Sequence, residues 1–162
     1  MNDQMSNAEL HEAVHAQRVA GVMTRYGLAC DERDRATLEQ LFHPEARAVY
    51  DVDSDLSGNT AIAEWISGAT EHLLWQQHAM RVMRVDVDGD RATAVSYLTS
   101  HQVAKDATDV TLMMNSRYDT ELELTDGAWR IRRLHLVVGT IEHRPIVLGS
   151  LVAAASTQEQ HV

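Results

Sequence analysis

Apolar residues are nearly continuous from Ala13 to Cys30, while His11, His15, Arg18 and Arg25 recur at helical spacing and make one narrow polar stripe. The pattern predicts a long helix, wet along one side and mostly buried in its C-terminal half. Ser6-Asn7-Ala8-Glu9 has the capping-box spacing that starts it. Asp34 is placed to cap a second, short helix in which Leu38, Leu41 and Phe42 stand at i, i+3 and i+4, and Pro44 blocks its continuation. Ala46 to Val52 reads as a strand, and Asp53-Ser54-Asp55-Leu56-Ser57-Gly58 as turn chemistry. Ile62, Trp65, Ile66 and Ala69 mark a third helix that closes at Gly68 or shortly after.

Beyond it the period changes. Residues 72–87, 91–104, 110–124 and 128–142 are long β-rich runs, separated by Asp88-Gly89-Asp90, Lys105-Asp106-Ala107-Thr108 and Asp126-Gly127 as hairpin connections. Helices first and an antiparallel meander afterwards define an α+β chain. Strands this long exceed the usual length, so they must bend through bulges. The expected architecture is a cone-shaped barrel, a strongly curved antiparallel sheet wrapped around the long N-terminal helix and two shorter ones. Residues 1–7 read as a flexible N-terminus, 8–144 as the cone domain, and 145–162 as a tail suited to a lid or a subunit contact.

Composition narrows the function classes. The 162 residues suit one domain, and one cysteine excludes an internal disulfide and multi-thiolate zinc sites. With 14 Lys+Arg against 24 Asp+Glu the formal charge is −10, which argues against nucleic acid and against a polybasic membrane anchor. No signal-peptide pattern and no long apolar span is present, so a cytoplasmic location is expected. The preferred partner is a small, hydrophobic molecule.

No P-loop, dinucleotide fingerprint, nucleophile elbow or zinc-protease helix occurs, so any chemistry must come from dispersed residues. Tyr26 and Asp31 lie near the end of the first helix, Tyr50 on the first strand, His78 on the next, and Asp109 and Tyr118 on a later one. A curved sheet packed on the helix brings such positions together. His78 has few charged neighbours in sequence, and Asp31 is its candidate partner; a carboxylate-paired imidazole can take a proton from carbon or protonate a leaving hydroxyl. Tyr26 and Tyr50 can hydrogen-bond a substrate oxygen. Plainer readings compete: a strand histidine that is merely hydrogen-bonded, an aspartate that ends a helix, solvated His11, His15 and His72, and tryptophans and methionines that fill the core. Cys30 sits beside an acidic residue and is not expected to act as a nucleophile. No histidine pair on the strands near His78 suggests a metal, and no cofactor is expected.

The run Arg25 to Ala46, Gly58 with Ala61-Ile62-Ala63-Glu64-Trp65, His78, Val85 to Ala94, Arg117-Tyr118 and Asp126 to Ile131 resembles a SnoaL-like domain of the nuclear transport factor 2-like superfamily over about residues 8–142. The resemblance is strongest to the branch with scytalone dehydratase, hexachlorocyclohexane dehydrochlorinase and bile-acid 7α-dehydratase. It implies the α+β cone, an Asp31–His78 dyad across it, catalytic help from Tyr26, and substrate contacts from Tyr50, Tyr118, Asp109 and Arg133. It also implies a homo-oligomer, a trimer for the dehydratase branch and a dimer for the isomerase branch. His101 is a loose positional match for a second active-site histidine, and Asp109 and Asp119 for the strand carboxylates of the isomerase and cyclase branches. The expected function is a cofactor-independent, dehydratase-type lyase acting on a hydrophobic cyclic or polycyclic hydroxylated molecule. An isomerase or cyclase using the same dyad, and a noncatalytic apolar-ligand binder, stand as the alternatives.

Overall fold

The computed structural model describes residues 5–50 and 54–149. Helix α1, Asn7–Glu32, starts on the reciprocal capping box: the Glu9 N–H donates to Ser6 Oγ at 3.2 Å and the Ser6 N–H to Glu9 Oε2 at 2.7 Å. It stops at Arg33, which turns left-handed at φ 54°. Helix α2, Arg35–Leu41, is capped by Asp34, whose Oδ1 accepts the Thr37 N–H at 3.0 Å. Strand β1, Phe42–Val49, follows without a loop and starts earlier than the hydrophobic pattern predicts. Pro44 sits inside it, in the stretch between Phe42 and Arg47 where the pairing slips, the place in a sheet that tolerates a residue without an N–H. The predicted end of this strand at Val52 lies outside the described residues.

The segment read as a turn holds a short strand, β2, Asp55–Ser57, antiparallel to β1. Gly58, at φ 91°, then redirects the chain into helix α3, Asn59–Thr70. Strands β3 (Leu73–Asp88), β4 (Arg91–Ala104), β5 (Ala107–Thr125) and β6 (Ala128–Pro145) form the expected meander. The sheet order is β2-β1-β6-β5-β4-β3, and β1 runs parallel to β6. The sheet is therefore mixed, where the sequence reading had it antiparallel throughout. Periodicity identifies strands but not neighbours, and this pairing joins segments separated by a helix and four strands. Register shifts at Val82/Arg84, Asn115/Ser116 and Glu121/Leu122 put bulges into the long strands and bend the sheet.

The inner face closes on α1. Val19, Met23 and Tyr26 are essentially inaccessible and share a core with Leu122, Ile131 and Leu134, each such side chain contributing about 1.5–3 kcal/mol. His15, expected on the wet stripe, is buried: its Nδ1 accepts the Trp129 Nε1–H at 3.0 Å. Burial first, then the neighbouring His11 and Arg18, hold this imidazole below its ordinary value, as an acceptor ring requires. Arg18 fixes the same region by donating to the Gly127 carbonyl. The helical wheel could not foresee this, because the hairpin of β5 and β6 covers part of the polar stripe.

Two glycines mark close approaches of different kinds. A Cβ on Gly27 would stand 3.5 Å from Met80 Cε and 3.7 Å from His78 Cβ, ordinary contact distances, whereas one on Gly139 would stand 3.1 Å from the Asn115 carbonyl oxygen. Gly27→Ala is therefore expected to raise stability by about 0.5–1 kcal/mol through helix propensity. Gly139→Ala is expected to lower it by about 1–3 kcal/mol, since a backbone carbonyl in a ladder cannot step aside. Urea unfolding of both variants checks the pair; equal effects would contradict the packing described.

Candidate active site

Asp31 lies in the last turn of α1, where a carboxylate faces the negative end of the helix dipole and no basic residue compensates it. Strand β3 supplies the compensation. The His78 backbone N–H donates to Asp31 Oδ2 at 2.9 Å, and the ring Nδ1 lies 2.6 Å from Oδ1. A carboxylate only accepts, so Nδ1 carries the hydrogen, and in the neutral ring Nε2 holds the lone pair, the tautomer of a base. The side chains are 10% and 20% exposed, so the pair is largely desolvated yet reachable. Gln76, two residues earlier on β3, donates from Nε2 to the Cys30 carbonyl at 2.6 Å, and Arg33 donates to the Leu73 carbonyl at 2.6 Å. The end of the helix is thus pinned to the strand on both sides of Asp31.

The His78 ring lines an internal cavity of about 330 Å³. Tyr26 and Cys30 of α1 form one wall, Trp65, Ile66 and Ala69 of α3 another, and inward residues of β4, β5 and β6 the floor. Three phenols converge in it: the Tyr26 hydroxyl is 3.0 Å from that of Tyr50 and 3.5 Å from that of Tyr118. Tyr26 packs edge-on against Phe42 and Tyr118, and Tyr50 stacks on Trp65 with centroids 4.7 Å apart. Burial, the leading cause, and the proximity of other acidic groups push all three phenols above their ordinary value, so they are neutral donors. Two contacts engage two of the three O–H hydrogens. The third is available to a ligand acceptor or to the Cys30 sulfur, a weak acceptor beside it. No arginine or lysine lines the cavity among the described residues.

Of the residues singled out in the sequence, Tyr26, Asp31, Tyr50, His78 and Tyr118 are brought together. Arg133 is not: it stands exposed on the outer face, 4.0 Å from Glu121, beside an open groove of about 700 Å³ that Arg47, Asp119 and His135 also line. The bulge between Glu121 and Leu122 decides which β6 residues face inward, and it puts Leu134 in the core and Leu136 and Val138 on the cavity. Asp109 is exposed near the start of β5, and its carbonyl accepts the Ile146 N–H, away from the cavity lining. Asp119 pairs with Arg117 at 2.8 Å on the outside. His101 misses the cavity because the strand alternates and its neighbours Ser100 and Gln102 point inward. Those two, with Gln76 on the facing strand, were not singled out in the sequence; period-two alternation from His78 and its facing strand is the signal that finds them.

A cavity between a long helix, α3 and a curved sheet, with the Asp31–His78 pair and a phenol cluster on its walls, stands in an α+β cone. The chain belongs to the SnoaL-like domain family, which matches it over residues 14–135. Solved structures share the fold. A candidate scytalone dehydratase from Novosphingobium aromaticivorans superposes with TM-score 0.75 at 16% identity, covering 85% of this chain and 92% of the other. A hexachlorocyclohexane dehydrochlorinase from Novosphingobium barchaimii gives 0.77 at 12%, covering 86% and 99%. A Mycobacterium tuberculosis protein of unknown function gives 0.73 at 20%, covering 94% and 90%. Among curated proteins none matches the sequence. No helix among the described residues is long and apolar enough to cross a membrane.

Cys30 is inert by its surroundings: burial pushes its thiol up to about 12, against a partial offset from Tyr26 and with a further rise from Asp31. The native protein is expected to react with iodoacetamide at pH 8 more than about 100-fold slower than free cysteine. Ordinary reactivity should return on unfolding in guanidinium, and a fast native reaction would show that the wall of the cavity opens.

Proposed function

We propose that the protein is a cofactor-independent lyase that eliminates water from a neutral cyclic hydroxyketone or a close relative. The observation that carries this reading is the 2.6 Å Asp31–His78 pair at the wall of a cavity that also holds the phenol cluster. His78 Nε2 takes the proton from a carbon beside the carbonyl. The C–H electron pair becomes the new C=C bond as the neighbouring C–O bond breaks, and the imidazolium returns the proton to the departing hydroxyl as water. Asp31 holds the ring in the required tautomer, and the spare phenolic hydrogen of the Tyr26 cluster donates to the carbonyl oxygen as charge grows on it.

The cavity also bears on the substrate. Lacking a lining cation among the described residues, it disfavours carboxylates and phosphates. About 330 Å³ is at the low end of small-molecule sites, which favours one or two rings over a larger polycycle. The homo-oligomer reading is supported by exposed Tyr97 and Ile141, apolar side chains outside the site.

Wild type, His78→Ala and Asp31→Asn should be compared on one- and two-ring cyclic β-hydroxyketones, with loss of water followed by mass spectrometry. Each variant is expected to lose about 10²–10⁴ in turnover while keeping the wild-type circular dichroism. Wild-type rates in either would remove the dyad from the mechanism, and an isomeric product without water loss would assign the site to proton transfer alone.

A further inference from the structure

The cavity has a second polar end that the mechanism above does not use. Gln102 and Ser100 line it from β4, and in the register of the sheet they stand directly opposite Gln76 and His78 of β3. Two polar atoms of these cross-strand pairs have no partner: Ser100 Oγ at the cavity and Gln76 Oε1, buried behind its lining, are both unbonded. Gln76 spends its Nε2 on the Cys30 carbonyl, so its oxygen is a fixed, orphaned acceptor. Ser100 is fully inaccessible, and rotation about its single χ1 re-aims its hydroxyl. Buried polar atoms left unpaired cost about 1–3 kcal/mol each, so two in adjacent cross-strand pairs is an expensive arrangement for packing alone.

The phenol cluster is elsewhere in the same cavity. Tyr118 stands opposite Ser96, four residues along β4 from Ser100, which separates the two backbone rows by about 13 Å. Leu98 lies between them and makes the intervening floor apolar. Along β4 the floor therefore runs from the row facing the phenol of Tyr118, past the apolar Leu98, to the hydroxyl of Ser100 and the carboxamide of Gln102.

We infer that Gln102 and Ser100 form a second hydrogen-bonding subsite, and that the natural ligand carries two oxygen functions, a carbonyl read by the phenols and a hydroxyl read beside His78. The inference rests on the lyase reading and deepens it by naming what the ligand must present. A hydroxyl both donates and accepts, and Gln102 offers both an accepting oxygen and donating hydrogens. Selectivity follows from desolvation: a ligand without that hydroxyl leaves buried polar groups unpaired, which costs far more than the loss of apolar contact. Gln102 and Ser100 are specificity-determining residues in this scheme, and the proton is still moved by His78.

Binding of three probes separates the subsites: tetralin, which has no oxygen, 2-tetralone, which has the carbonyl, and 6-hydroxy-2-tetralone, which has both. Titration against the intrinsic fluorescence, to which Trp65 at the cavity wall contributes, reads each affinity. Wild type is expected to bind the hydroxyketone at least about tenfold tighter than the ketone. Gln102→Met and Ser100→Ala should each shrink that ratio toward one while leaving ketone affinity within about twofold. Gln102→Asn, which keeps the carboxamide on a shorter stem, should retain part of the ratio and guards against a folding defect in the methionine variant. Equal binding of ketone and hydroxyketone by wild type, or a ratio that survives in both variants, overturns the second subsite alone. Ketone binding no tighter than tetralin overturns the phenol-cluster reading, and this inference with it.

Discussion

The docking of the end of helix α1 onto strand β3 is the constraint on which the rest depends. At Gly27 the His78 and Met80 side chains lie against the helix, at a distance that would still admit a Cβ. One turn later Asp31 receives both the backbone N–H and the ring of His78, while Gln76 and Arg33 tie the flanking backbone to the same strand. A carboxylate at a helix C-terminus is unfavourable by a few tenths to about 1 kcal/mol, and charge-assisted bonds of about 1.5–3 kcal/mol offset it. The arrangement orients an imidazole at the same time. Structural and chemical roles coincide in these bonds, so a change that loosens the helix end also releases the ring.

Curvature does the second part. A flat sheet facing a helix would fill the space between them with side chains, but β3 to β6 bend at their bulges and leave a cavity of about 330 Å³ beneath α3. Its desolvated interior keeps three phenols and one thiol in their neutral forms. It also removes the competition of water for the hydrogens those groups offer, which is the condition for electrostatic help to a developing oxyanion. Arg117–Asp119 and Arg133–Glu121 stand outside, facing solvent across the outer surface of the sheet.

Much of this was legible in the residues. The capping box at Ser6, the cap at Asp34, the hairpins at Gly89 and Gly127 and the long meander followed from local chemistry, and the structure has each of them. The family resemblance added the Asp31–His78 pairing and the three tyrosines, which meet in space as it implied. Strand β2 was missed because three residues carry too little periodicity against a run of turn formers. Arg133 was placed in the site and stands outside it, because a one-residue slip at the Glu121/Leu122 bulge exchanges the faces of β6 and no sequence pattern records where the slip falls. Asp109 stands outside because it lies near the start of β5, an odd number of residues from Tyr118.

The sequence by itself determined the elements, their order and the kind of chemistry available, since capping, periodicity and side-chain ionisation are local properties of neighbouring residues. Tertiary structure decided the parallel pairing of β1 with β6, the burial of His15 against Trp129, and which of the polar strand residues look inward at the ligand. Those outcomes depend on register and on the closing of segments far apart in the chain, and their energies reside in contacts that exist only after the sheet has curved around the helix.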